Sequence, residues 1–127
     1  VIERDHLLGK LGMRDVEDTA ERLVIEMDNR PDLVNVRGAL QGGLVATLID
    51  IAAGRLAGNA SGAGNDVTTA DMNVHYLAPI IEGPARAVAT VVGGGGRLIV
   101  TSVDVFDVSR DRLAARATLT FAVLERR

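Results

Sequence analysis

Residues 35–58 read NVRGALQGGLVATLIDIAAGRLAG: a polar, glycine-bearing loop that runs directly into an apolar segment carrying one carboxylate, Asp50. Leu, Val, Ile and Ala fill most positions from Gly43 to Gly58, while Gly43, Thr47, Asp50, Gly54 and Gly58 recur at spacings of four, three, four and four. That spacing puts them on one narrow stripe of an α-helix. A helix apolar over most of its circumference has to be wrapped by other structure, and at ~1.5 Å per residue this one is long enough to run through a small domain. Asp50 is therefore expected near the interior. An ionisable carboxylate there is costly without a partner and calls for a hydrogen-bond network or for chemistry.

Outward from this helix the period changes to two. Before it, residues 21–28 alternate, with Leu23, Ile25 and Met27 on one face, and Asn29-Arg30-Pro31-Asp32 supplies a turn, which predicts a first strand. Residues 2–11 (Ile2, His6, Leu7, Leu8, Leu11) permit a short amphipathic helix that Gly9 weakens and Gly12 ends. After the polar loop 59–65, Ala70, Met72, Val74 and Tyr76 alternate with Thr69, Asp71, Asn73 and His75 in a strand over 67–78, closed by Pro79 and the Glu82-Gly83-Pro84 turn. Strands over 85–92, 97–108 and 113–124 follow, the first two separated by the Gly93–Gly96 run, a hairpin connection or a bulge, and the last two by a turn at Ser109–Arg112. One strand, a long helix and four strands on short connections indicate an α+β domain of residues 1–127, its antiparallel sheet curled around one helix.

The 127 residues, 47% hydrophobic and 24% charged, describe a soluble globular domain. Fourteen basic and seventeen acidic residues give a net charge of −3, which offers no general attraction to nucleic acid or anionic membrane. Without cysteine the chain has no disulfide, no thiol nucleophile and no Cys-ligated zinc. The N-terminus, Val-Ile-Glu-Arg-Asp-His, is too charged for a signal-peptide apolar region, and Asp50 interrupts the longest apolar run, so a cytoplasmic protein is expected. The start at Val1 rather than Met leaves room for further native residues ahead of it. His75 and Asp71 share a strand face but stand roughly 13 Å apart, too far for one metal ion. Neither His6 nor His75 lies in a nucleophile motif.

Several ordered segments resemble one family, the hotdog-fold thioesterases of the phenylacetate-degradation (PaaI-like) type. They are Asn35-x-x-Gly38-x-x-Gln41-Gly42-Gly43, then Asp50, Thr69-Ala-Asp71-Met-Asn73, Tyr76-Leu77-Ala78-Pro79 and Gly95-Gly96-Arg97-Leu98. The match covers most of the chain and departs at two positions: Gln41 stands where the family usually has His, and Gly96 where relatives often carry a basic residue. Gln can donate and accept hydrogen bonds but does not change charge near neutral pH.

The resemblance implies a hotdog fold and hydrolysis of an acyl-coenzyme A thioester, with no cofactor and no metal. Such a reaction needs donors for the developing oxyanion and a base or carboxylate nucleophile at the carbonyl carbon. The Gly42 N–H, at the unsatisfied helix N-terminus, is the expected oxyanion donor. Asn35 and Gln41 assist beside it, Asp50 is base or nucleophile, and Thr69 orients the water or the carboxylate. Gly43, Tyr76 and Pro79 line the substrate site, and Arg97 is a candidate for a coenzyme A phosphate. Gly42 and Asp50 lie about 12 Å apart in helical rise, too far to act on one carbonyl. The resemblance resolves this with a homodimer, or a homotetramer of dimers, whose antiparallel helices share each site. Bland readings stand beside these: Asp50 as a structural buried acid, Gly42-Gly43 as a helix-start device, Asn35 and Thr69 as local hydrogen-bonders, Arg97 as a solvated surface residue. The alternative function is a non-catalytic acyl-CoA-binding hotdog protein; a hotdog hydratase is weaker, because its usual His-centred acid/base pair has no counterpart here.

Overall fold

In the computed structural model, which describes residues 5–125, six antiparallel strands form one sheet in the order β1-β2-β4-β5-β6-β3. The strands are β1 (Arg14–Asp18), β2 (Arg22–Met27), β3 (Asn65–Tyr76), β4 (Ala85–Gly95), β5 (Leu98–Asp107) and β6 (Arg112–Glu125). The single α-helix, α1 (Gly42–Ser61), packs against β2 to β6. This is the hotdog architecture expected from the sequence. Of the predicted helix over 2–11, one 3-10 turn at Leu8–Leu11 is formed, ended by Gly12 at φ +70°; Ile2 lies outside the described residues.

The core explains why the helix sits close to the sheet. Leu48, Ile49, Ala52, Ala53, Leu56 and Ala57 of α1 are fully buried, and they meet the equally buried Ala85, Ala87 and Ala89 of β4. Small inward side chains bring the two layers together, while Phe121 of β6 supplies the one large ring. Gly54 faces that ring: a β-carbon added there would stand 3.5 Å from it.

Three sequence expectations are corrected. The strand over 21–28 is the second, not the first. β1 reads Arg-Asp-Val-Glu-Asp, four charges around one apolar residue, a composition that strands in general avoid but edge strands carry. Its acids are held from the helix: Arg55 bonds both carboxylate oxygens of Asp15 and reaches Asp18 Oδ2 at 2.9 Å, and Asn59 reaches Asp18 Oδ1 at 2.7 Å. Second, the Gly43/Thr47/Asp50/Gly54/Gly58 stripe is the less buried face of α1, so Asp50 is half-buried within one chain rather than interior. Third, Thr69 does not share a face with Asp71, Asn73 and His75. A bulge at Ala70 lets Thr69 pair with Phe121 and Asp71 with Thr120. The extra residue resets the alternation, so Thr69 and Met72 both point toward the helix.

Among the described residues the sheet ends on one side in β3, twelve residues long and paired with β6 alone. Its helix-facing Met72 and Tyr76 are exposed, at 40% and 55%.

Candidate active site

The helix N-terminus is built by backbone contacts that hold the preceding loop. Gln41 N–H donates to Leu33 O (3.1 Å) and Leu40 N–H to Ile80 O (2.9 Å). Gln41 is extended at φ −59°, ψ 136°, and its carbonyl accepts from Leu44 and Val45 N–H. No side chain caps the helix. The N–H groups of Gly42 and Gly43 consequently have no acceptor among the described residues, at the end of the helix where partial positive charge gathers.

Asn35 shapes the loop that delivers this end. Its Oδ1 accepts from Arg37 N–H (2.9 Å) and Ala39 N–H (3.2 Å), which leaves the Nδ2 amide as its spare donor. Gly38 takes φ +81° in the same turn, a conformation that side-chain-bearing residues rarely adopt. From the other side comes Tyr76, at the end of β3. Its hydroxyl donates to Gly42 O at 2.7 Å and its ring lies over Gly42, where an added β-carbon would stand 3.5 Å from Cε1. Asn35, Gly42, Tyr76 and Pro79 rim a half-open cavity of about 180 Å³.

Asp50 lies two turns further along and does not line that cavity. Thr69 Oγ1 donates to Asp50 Oδ1 at 2.8 Å, while Oδ2 has no donor among the described residues. Within one chain, then, Asn35, Gly42, Tyr76 and Pro79 come together, and Asp50 with Thr69 forms a second group. Gln41 and Gly43 are exposed beside the first group, and the Gln41 side chain has no hydrogen bond among the described residues. Arg97 is elsewhere: it occupies the turn between β4 and β5, not a strand, and this turn borders a different cavity near Ser61 at the helix C-terminus. His75 and Asp71 are exposed on the sheet's outer face, and no group of three metal-ligating side chains occurs among the described residues.

Asp107 was missed in the sequence. It is fully buried, and its Oδ2 accepts from Ile81 (3.1 Å) and Glu82 (3.3 Å) N–H while Oδ1 accepts from Gly83 N–H (2.8 Å). It thereby holds the loop whose Ile80 carbonyl receives Leu40 N–H, one residue before the helix cap. The available signal was a carboxylate at an inward phase of β5, after Thr101, Val103 and Val105.

The model of the thioesterase superfamily matches residues 37–114. The Bacillus subtilis protein named "Putative esterase ComA2" is 33% identical over 127 residues, covering 94% of this chain and 95% of its own. A thioesterase family protein from Silicibacter pomeroyi superposes with a TM-score of 0.87 at 28% identity, over 96% of this chain and 91% of the other. The BH2602 protein of Bacillus halodurans, solved with CoA, superposes with a TM-score of 0.74 at 30% identity, over 80% of this chain and 66% of that one. Among the described residues no helix is long and apolar enough to cross a membrane.

Proposed function

The chain belongs to the thioesterase superfamily, and from that premise we propose that it is an acyl-CoA thioesterase acting as a homodimer, without metal or cofactor. The observation that carries the reading is the pair of free N–H groups at Gly42 and Gly43 beside an apolar cavity. Donors fixed in place, aimed where negative charge develops, are what acyl transfer requires. Asp50, with one oxygen bonded to Thr69 and the other open, is the base or the nucleophile. As base it takes a proton from water, whose oxygen attacks the thioester carbonyl. The oxyanion is held by Gly42 N–H, the C–S bond breaks, and the proton passes to the departing thiolate to leave free acid and CoA. The CoA found with the Bacillus halodurans protein supports a CoA-type ligand.

Two groups on β3 support the dimer. Thr69 bonds Asp50 and Tyr76 bonds Gly42, seven residues apart on one exposed edge strand. Antiparallel pairing of β3 with a second copy about a twofold at Asn73, the extra residue at Ala70 counted out, sets Thr69 opposite the second copy's Tyr76. That register carries Asp50 toward the other chain's Gly42 and generates two equivalent sites. Gln41, charge-invariant where the family pattern has His, favours the second reading, a protein that binds acyl-CoA without turning it over.

Thiol release across a panel of acyl-CoAs separates the two readings, and Asp50→Asn is expected to abolish it with the fold intact. Exchange of subunits between Asp50→Asn and Asn35→Ala tests the sharing. A mixed dimer holds one doubly damaged site and one intact site, so activity returns in proportion to heterodimer. Heterodimers shown by mass yet as inactive as either parent would overturn the shared site.

A further inference from the structure

Residues 77–84 connect β3 to β4 and belong to no strand, so their backbone groups find no ladder to bond to. Over 80–83 two side chains take the place of a ladder, one an acceptor and one a donor. Asp107, fully buried, accepts from the N–H groups of Ile81 (3.1 Å), Glu82 (3.3 Å) and Gly83 (2.8 Å). Asn29 grips the carbonyls instead: its Nδ2 donates to Ile80 O at 3.1 Å and to Ile81 O at 2.8 Å. Ile81 is thereby held at both ends of its backbone, and hydrogen bonds to a carboxylate are stronger than neutral ones. The two residues come from far apart in the chain, Asn29 just after β2 and Asp107 at the end of β5.

The gripped loop in turn supports the helix N-terminus. A carbonyl oxygen has two lone pairs; at Ile80 Asn29 takes one and Leu40 N–H, at 2.9 Å, takes the other. Leu40 is bridged to Val34, Gln41 N–H donates to Leu33 O at 3.1 Å, and Gly42 follows. The Leu33 side of this support also starts beside Asn29, because Leu33 N–H donates to Arg30 O at 2.9 Å. No side chain caps the helix, so the direction of the Gly42 N–H rests on these backbone bonds. Resting on the thioesterase reading, we infer that Asn29 and Asp107 are positioning residues that aim the Gly42 N–H at the thioester oxygen. Neither lines the cavity beside Gly42, so both act through Ile80 and Leu40. Losing an oxyanion donor outright costs about 100-fold to 1,000-fold in kcat, and a displacement of about 1 Å costs up to about 100-fold. A donor left in place but misaimed belongs at the lower end, about 10-fold to 100-fold.

The test compares Asp107→Asn, Asn29→Leu and Val103→Ala with wild type, by thiol release from a panel of acyl-CoAs and by amide NMR. Asparagine at 107 has one acceptor oxygen in place of two, so a backbone N–H meets a donor; leucine at 29 keeps the size and removes both donors. Val103, fully buried in β5 and apart from the clamp, is the control for lost stability. In the two clamp variants kcat should fall about 10-fold to 100-fold, the Leu40 and Gly42 amide signals should move, and Leu40 N–H should exchange faster with solvent. Val103→Ala should be less stable yet keep kcat within about twofold and leave those signals in place. Folded clamp variants with kcat within about twofold of wild type, or with the Leu40 and Gly42 signals unmoved, would overturn the inference while leaving the thioesterase reading intact. A control as slow as the clamp variants would overturn it too, by tracing the loss to stability. If Asp107→Asn does not fold, Asn29→Leu decides alone. Should wild type hydrolyse no acyl-CoA, the thioesterase reading fails instead, and the NMR arm judges the clamp: signals moved at Leu40 and Gly42 sustain it, and unmoved signals overturn it.

Discussion

Thr69→Val removes a single hydroxyl and keeps the branched shape of the side chain, so it isolates the 2.8 Å bond to Asp50 Oδ1. Hydrogen bonds to a charged group contribute about 1.5–3 kcal/mol. Within one chain Thr69 is exposed and Asp50 half-buried, so water replaces most of the lost bond and the cost to the folded subunit falls below that range. In a site closed by a second copy, water is excluded and the upper figure applies. Converted to rate, the range is a loss of about 10-fold to 150-fold in kcat. KM for the acyl-CoA should change little, because the hydroxyl does not line the cavity beside Gly42. Stability should drop by less than about 1 kcal/mol, as for other exposed positions. Thr69→Ser, which retains the donor, should recover most of the activity. The assay is thiol release at saturating substrate for wild type and both variants, with thermal unfolding as the control. A Thr69→Val enzyme within twofold of wild type would refute the argument that this contact orients the carboxylate. A serine variant as impaired as valine would assign the loss to packing rather than to the hydroxyl.

Gln41→His should leave turnover equal or raise it, because the Gln41 side chain is exposed and makes no capping bond that histidine would break; a fall would show that the site has been rebuilt around glutamine. Asp107→Ala strands three backbone donors of the 81–83 loop and should cost about 3 kcal/mol or more, read from urea unfolding at fixed protein concentration. A loss under about 1 kcal/mol would show that water replaces the carboxylate there. The Arg55 guanidinium, by hydrogen bonding and by charge, holds the Asp15 carboxyl below its ordinary value. This stabilisation is present above the unfolded value of about 3.9 and is lost as pH falls through the lower folded one. Arg55→Met should therefore be less stable than wild type at pH 7, by less than about 1 kcal/mol for so exposed a pair. The gap should narrow below pH ~4; a gap unchanged at pH 3 in thermal unfolding would trace the loss to packing of the arginine stem.

The helix from Gly43 and the strands expected over 21–28, 67–78, 85–92, 97–108 and 113–124 were legible in the sequence, with ends that the structure moves by up to three residues. They rest on local periodicity, glycine and proline, signals that act over a few residues. The loop residues Asn35 and Gly42 and the carboxylate of Asp50 stood out for the same reason: each breaks a pattern next to it. Only the tertiary structure decided what depends on distant partners. Strand β1 exists because Arg55 and Asn59, some forty residues later, take up its acids. Thr69 faces Asp50 because β3 slips by one residue against β6 at Ala70, a shift that simple alternation along β3 conceals. Asp107 reads as an ordinary surface acid until the loop from Ile81 to Gly83 folds over it. Neighbouring side chains set the period of a segment, but register and burial are set by whatever the rest of the chain brings against it.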